Sequence, residues 1–497
     1  MKSRKRIVIV GGGLAGISTA CYARMQGFDT IIVEHGQTLG GVCSAWQRGP
    51  YTVDGCIHWL TGGPFMHVYE ELGIVPPVRV QPLESFATYK DVSTGWSTRV
   101  DADLDSFRFE LGGLSPTDRP ELDRLVEGAR AFAALEPGID RPPELQSLSE
   151  GLGALWRMRH LTGPLVHFRK PIGVWAREHL RAPQLQRLFL GLFPGETPAL
   201  FLLMVLGYLE KGWLSHPIGG TTRFREALLD RHRELGGEAI CNATAEEIMV
   251  EDDRAYGLRL TDGSIVEGDL VVSTASGPET VLRLLAGRYG ADDMRARLTQ
   301  WKLFQPIVLL SFGVAQPNRD WPASTIIDKI APLRVGGCEN DRLYVRVYHA
   351  DPEGNDGFAP EGHSVVQVLL QTDYDWWASR GARYEAEKDD MALAALERLE
   401  GFFPGMTGKV RMLDMATPLT FWRHARSWRG AYEGWMPSAD AFFGHVSKTL
   451  PGLHDFYMAG QWVEPGGGVP TALMSGRQVV QILCEREGMP FSAQRSL

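Results

Sequence analysis

The sequence predicts an α/β fold: a parallel-stranded unit begun at the N-terminus, broken by two long insertions and completed by the last forty residues. Three observations carry this. An apolar run, Ile7 to Val10, leads through Gly11-Gly12-Gly13-Leu14-Ala15-Gly16 into helical spacing and then into a second apolar run closed by Glu34. A middle stretch, about 217–274, alternates a helix, short strands and turn signals. Near the C-terminus, Asp455-Phe456-Tyr457-Met458-Ala459-Gly460 and Gly466-Gly467-Gly468-Val469-Pro470 again place glycines between a strand and a helix, Thr471 to Cys484.

The first unit has the chemistry of a dinucleotide site. Arg6-Ile7-Val8-Ile9-Val10 reads as a central parallel strand buried on both faces. In the G-x-G-x-x-G that follows, Gly11 permits the tight turn, Gly13 lets a pyrophosphate approach the backbone and Gly16 lets the helix lie close to the strand. The helix N-terminus, with Leu14 and Ala15 in its first turn, offers free N–H groups and partial positive charge to the phosphates. Gly27 stops the helix. Thr30 to Val33 forms the next strand, and Glu34, about twenty residues beyond the first glycines, can accept hydrogen bonds from a ribose diol. The alternative, a glycine-rich turn in an unrelated protein, leaves that acid and both strands without a reason.

In the middle, Pro217 to Phe224 opens a helix, Arg225 to Leu235, stopped by Gly236-Gly237. Ala245 to Val250, Gly257 to Leu260 and Ile265-Val266 are short strands separated by Glu251-Asp252-Asp253 and Asp262-Gly263, an antiparallel meander. Leu270 to Thr274 returns as an apolar strand.

At 497 residues the chain suits two or three interlocked domains. With 44% hydrophobic and 22% charged residues it has a globular composition, and a net charge of −9 without a basic tail gives nucleic-acid binding no support. Six scattered cysteines show no metal spacing, so no metal is expected and a reduced, cytoplasmic setting is the simplest reading. No signal peptide is read at the N-terminus. The apolar run Ala199 to Tyr208 is about half of what spans a bilayer.

The Glu34-x5-Gly40-Gly41 extension resembles the long FAD fingerprint of the glutathione-reductase-like flavoproteins. Gly40-Gly41-Val42-Cys43 followed by Tyr51-Thr52-Val53-Asp54-Gly55, Ala359-Pro360-Glu361-Gly362, and Thr417-Pro418-Leu419-Thr420 through Gly430, Tyr432 and Gly434 to Gly466–Pro470 are similar to landmarks of the phytoene desaturase family, with its carotenoid isomerase and retinol saturase branch. The resemblance implies a discontinuous FAD-binding Rossmann domain with an inserted α+β substrate domain: FAD segments at 1–104, 215–289 and 415–497, a mostly helical insertion at 105–214 and a second substrate segment at 290–414. It implies non-covalent FAD held by Gly11, Gly13, Leu14, Ala15, Gly16, Glu34, His35, Gly40, Gly41, Val42, Ile248 near the adenine, Gly460, Gly468 and Val469. Many relatives carry Arg where this chain has Val42, so another charge must meet the pyrophosphate; Arg48 is a candidate.

The implied activity is desaturation, saturation or isomerisation of C–C bonds in a hydrophobic, isoprenoid-like substrate, by hydride exchange with the flavin. Candidate catalytic residues are His58, Glu464, Arg423 and Tyr432. His58 is either a proton donor or base opposite the flavin or a buried, hydrogen-bonded histidine. Cys56 reads as a small packed residue rather than a redox thiol. Glu464 is a proton acceptor or a helix cap. The cluster Phe421-Trp422-Arg423-His424 with Trp428 and Tyr432 either lines the tunnel beside the flavin, with Arg423 near the dinucleotide, or packs domains together and leaves its arginines in solvent. Trp156 to Arg187 holds Arg157, Arg159, Arg169, Lys170, Arg177, Arg181 and Arg187 against Glu178, interleaved with apolar residues. That suits either a peripheral membrane contact or an ordinary amphipathic helix. Two rival functions stay open. A flavin amine oxidase would show an aromatic cage, for which Trp428, Tyr432 and Trp435 are candidates. A non-catalytic lipid- or prenyl-binding protein would use the same fold without FAD.

Overall fold

The computed structural model describes residues 4–135, 141–147, 149, 153, 158–349, 357–442 and 444–493. Five parallel strands form the nucleotide-side sheet in the order Glu238–Ile240, Asp29–Val33, Arg6–Val10, Leu270–Ser273, Phe456–Met458. Three distant parts of the chain therefore build one sheet. Arg6–Val10 lies at its centre and alternates between two cores. Ile7 and Ile9 face the helices Leu14–Met25, Gly220–Glu234 and Val469–Arg486, whereas Val8 and Val10 face the meander Ala245–Glu251, Arg254–Leu260 and Ile265–Glu267. A strand covered on both faces has no use for polar positions, which is why the run is apolar throughout.

Register brings the strand ends level: Val10 lies beside Val33 on one side and Ser273 on the other, and Ser273 beside Met458. The carboxyl-end loops carrying Gly11, Glu34, Thr274 and Gly460 thus share one edge, where open parallel sheets hold their ligands. The first and last helices are locked together by a close approach. A Cβ at Gly476 would lie 2.7 Å from the Thr19 nitrogen and 2.9 Å from the Ala15 oxygen, and the Ser18 hydroxyl donates to the Leu473 carbonyl.

A second, seven-stranded sheet has the order Val410–Ala416, Ile307–Val314, Ser364–Gln371, Cys338–His349, Ser324–Val335, Ser85–Asp91, Ser97–Asp101. The hairpin 85–101 falls within the first FAD segment, 1–104, of the sequence expectation, yet it pairs in parallel with Ser324–Val335 through Thr88–Thr325. Its alternate positions Ala87, Tyr89 and Asp91 are buried, the pattern of a half-buried strand, and Ala87 and Tyr89 join the core of the helical insertion. That insertion comprises Leu104–Leu114, Arg119–Ala133, Thr162–His167, Ile172–His179, Pro183–Leu192 and Leu200–Glu210. Among the described residues no helix is long and apolar enough to cross a membrane. Trp156 and Arg157 lie outside the described residues. In the remainder of the cationic stretch, Leu161, Phe168, Ile172 and Trp175 point inward as core, and only Val166 is a large apolar side chain left 68% exposed. The apolar members therefore belong mainly to packing.

Candidate cofactor and active site

One cavity of about 1100 Å³ runs along the shared strand edge and on between the two sheets. This exceeds a typical small-ligand pocket of about 300–1,000 Å³ and suits a cofactor with a substrate beside it. At one end its wall is backbone. Gly11 has φ of +93°, and its N–H donates to the Val33 carbonyl at 2.9 Å. The Gly40 N–H donates to the Gly12 carbonyl at 2.7 Å, drawing the Gly40-Gly41 turn onto the glycine loop. A Cβ on Gly41 would lie 3.0 Å from the Gly13 Cα. Gly16 does not reach the wall: a Cβ there would lie 2.0 Å from the Gly11 carbonyl oxygen, so its task is helix-on-loop contact.

Glu34 is 6% exposed and accepts the N–H of Gly12 on one oxygen and that of Gly36 on the other, both at 2.6 Å. A carboxylate has about four acceptor positions, so two remain at the cavity wall for a ligand hydroxyl. His35 also lines the wall, its Nδ1 2.7 Å from the Thr244 hydroxyl and its Nε2 3.1 Å from the Arg423 carbonyl. Leu14, Ala15, Val42, Gly460, Gly468 and Val469 are all in the wall. Gly460 and the run Gly466–Gly468 have positive φ, which the close turn over the first helix requires. Ile248 is elsewhere: it is fully buried in the core between sheet and meander, and Ala243, Thr244 and Ala245 from the same segment form the wall instead.

Among the basic side chains in the cavity wall is Arg426, whose guanidinium lies 3.5 Å from the His35 Nδ1 beside the cradle. Neither Arg48 nor Arg423, the basic residues the sequence offered near the dinucleotide, is in the wall. Arg48 is half exposed and paired with Asp414. Arg423 is exposed and lies over the Tyr384 ring at 5.1 Å. The helix Pro418–Ala425 ends one residue before Arg426, which takes a left-handed φ of +50° and enters the cavity wall. Sequence spacing puts Arg423 and Arg426 on one helical face; the helix end separates them. Its carbonyl is held by the Ser276 hydroxyl at 2.9 Å.

Beyond the cradle the cavity is lined by aromatic side chains from the first segment and the helical insertion. Trp59, Phe86, Phe193 and Phe201 form a continuous train with ring centroids 4.9–5.5 Å apart. Met204 and Val205 from Leu200–Glu210 add to it, so that apolar run lines the cavity. The wall also holds His58, Tyr432, Glu433, Arg342 and Arg346. The His58 Nε2 is buried without a partner, and burial followed by Arg346 pushes the imidazole down to about 3. It is therefore neutral at any working pH. Burial pushes the Glu433 carboxyl up to about 7 and holds the Tyr432 phenol well above its ordinary range. Glu433 escaped the sequence reading because nothing in Ala431-Tyr432-Glu433-Gly434 distinguishes it from a surface acid.

Glu464 is not in the wall. Its carboxylate lies 2.8 Å from the Nζ of Lys448, which is 1% exposed, so it serves neither as a proton acceptor in the cavity nor as the cap of Val469–Arg486. The aromatic cage also fails to form. Trp435 is stacked between Trp301 and Trp462 in the core and Trp428 stays off the wall, leaving Tyr432 alone.

A family model described as an NAD(P)-binding Rossmann-like domain matches residues 9–72. The lycopene-forming phytoene desaturase of Pseudescherichia vulneris is 24% identical, with 97% of this chain and 99% of that protein covered. Prolycopene isomerase of Arabidopsis thaliana chloroplasts is 22% identical over 94% of this chain and 81% of that protein. The chain is similar to phytoene desaturases and prolycopene isomerases. Among solved structures, a double mutant of putrescine oxidase matches with a TM-score of 0.64 at 15% identity, covering 97% of this chain and 99% of that one. An oxidoreductase from Methanosarcina mazei matches with 0.60 at 17%, covering 96% and 100%. These likenesses establish the flavoprotein-type Rossmann fold. The cofactor it fits is FAD: the bare-backbone cradle, the N-terminus of Leu14–Met25, Glu34 and Arg426 supply contacts for a dinucleotide.

Proposed function

We propose that this chain is an FAD-dependent oxidoreductase that desaturates, saturates or isomerises C–C bonds of a hydrophobic, polyene-like substrate. The observation that carries the reading is the continuity of the cavity: a dinucleotide cradle opens directly into an aromatic sleeve. Bound FAD supplies hydride exchange with carbon. The chain's own residues do the rest. Gly11, Gly13 and Gly41 admit the dinucleotide, and Arg426 balances its charge. The train Trp59, Phe86, Phe193 and Phe201 aligns an apolar chain and excludes water. Glu433, with its carboxyl near 7, takes or returns a proton at neutral pH, the range in which such exchange is most effective. His58, held neutral, offers a polar contact in the same wall. Tyr432 stays protonated and can donate a hydrogen bond.

The domain reading that accompanies this function joins the three FAD segments into one body and assigns the seven-stranded sheet and helical insertion, from about residue 85, to substrate. A lipid-dissolved substrate further suits a peripheral membrane contact of a cytoplasmic protein through the exposed Arg169, Lys170, Arg177 and Arg181. Flotation with anionic vesicles that weakens as salt rises supports that contact; equal flotation with neutral vesicles removes it.

The occupant of the sleeve is tested with Phe193→Asp. A carboxylate there leaves the cradle untouched, so the variant is expected to retain its flavin content and lose polyene binding. Unchanged polyene binding refutes the assignment of the sleeve. An amine oxidase reading lacks its cage, and a carrier without FAD leaves the cradle unexplained.

A further inference from the structure

We infer that Cys43 and Cys56 form an oxidisable dithiol in the cavity wall, which closes to a disulfide by exchange with a small disulfide such as oxidised glutathione. The hairpin Ala45–Arg48 and Tyr51–Asp54 pairs Ala45 with Asp54, and the ladder continues as the Gly55 N–H donates to the Ser44 carbonyl at 3.0 Å. One step further that register sets Cys43 opposite Cys56. Directly opposed residues of an antiparallel ladder project to the same face with Cα atoms about 4.5–5.5 Å apart, within the about 4.4–6.8 Å that a disulfide bridges. Gly55 makes the approach tight: a Cβ there would lie 2.6 Å from the Trp46 ring and 2.7 Å from the Ser44 oxygen. The Cys56 and Cys43 side chains are in hydrogen-bond contact, and both residues line the cavity.

One of the two thiols, deprotonated, attacks one sulfur of the reagent disulfide, forming a mixed disulfide and releasing one thiolate. The second protein thiol then loses its proton and attacks the protein sulfur of the mixed disulfide, displacing the second thiolate. Two protein thiols are oxidised to one disulfide, the reagent is reduced to two thiols, and the two protons end on them.

The bond would fasten two functional segments together. The Cys43 N–H donates to the Gly40 carbonyl in the cofactor turn, and the Cys56 carbonyl accepts from the His58 N–H. Oxidation thus ties the cradle to the loop carrying His58. The inference stands apart from the substrate's identity and goes beyond the proposed activity.

The full chain, as purified, is incubated with oxidised glutathione, trapped with alkylating reagent and digested without reduction. Trypsin cuts after Arg48 and so places the two cysteines on separate peptides. The expected result is a linked pair two hydrogens lighter than the free peptides, loss of two of the six thiols, and restoration of both by dithiothreitol. Cys56→Ser is expected to go no further than a glutathione adduct on Cys43, and Cys241→Ser to behave as the parent. Separate adducts on Cys43 and Cys56 in the parent, or no modification of either while the denatured chain reacts, overturns the inference.

Discussion

Replacing Glu433 by Gln tests the chemistry of the cavity wall, and the size of its effect follows from burial. The carboxyl is half-buried in the cavity wall, and desolvation raises its value from 4.5 to about 7. At about 1.4 kcal/mol per tenfold change, the ionised group costs the folded FAD-free protein about 3 kcal/mol. The sign follows from linkage. The folded state holds this proton more tightly than the unfolded chain, so the cost is absent below the unfolded value near 4.5, grows as pH rises, and is complete above about 7. Gln has no charge to bury. Glu433→Gln is therefore expected to match the parent in urea-denaturation midpoint at acid pH and exceed it in mildly alkaline buffer. The same variant loses the proton carrier, so turnover falls while FAD content is kept. A stability difference that is the same at both pH values refutes the assignment of a buried, titrating carboxyl.

Three further outcomes follow from the geometry. Gly16→Val puts side-chain atoms where even a Cβ would lie 2.0 Å from the Gly11 carbonyl; the first helix must move, and flavin absorbance per protein is expected to fall to near zero on purification. Arg426→Met removes the cation proposed to meet the phosphates, worth about 1.5–3 kcal/mol for a charged hydrogen bond, and FAD binding measured by fluorescence should weaken about tenfold or more, whereas Arg423→Met should change it little. Lys448→Met leaves Glu464 and Glu144 beside a buried apolar group; breaking such a pair costs about 3–5 kcal/mol, read as a lower denaturation midpoint, while Glu464→Gln should leave turnover per bound flavin unchanged.

The cradle was legible because its requirements are local. A strand, a turn that needs Gly11, Gly13 and Gly16, and an acid at the next strand end occupy a short segment, so residue type and spacing carry the geometry. The two glycine-rich ends were readable for the same reason, and register then brought Gly460 within van der Waals reach of Ala15, a Cβ there lying 3.4 Å from that of Ala15. The chemistry of the cavity wall was not legible in this way. Arg426 reaches the cavity only because a helix ends one residue earlier, and Glu433 acquires its raised proton affinity from a wall built by distant segments. Glu464, with a glycine turn beside it, had a persuasive local context, but Lys448 reaches it from another part of the chain. The hairpin 85–101 shows the same limit: alternation identifies a strand, and only tertiary pairing decides which sheet receives it.

The most direct measurement is anaerobic mixing of the FAD-loaded protein with polyenes of increasing length and, separately, with a panel of amines, following the flavin absorption band and analysing the products. The expected result is bleaching of the oxidised band by a polyene with loss of two hydrogens from it, or saturation or cis–trans rearrangement of the polyene once the flavin has been reduced chemically, with the amines inert. Bleaching by an amine together with no change in any polyene in either flavin state would contradict the assignment of the aromatic sleeve to a hydrocarbon chain.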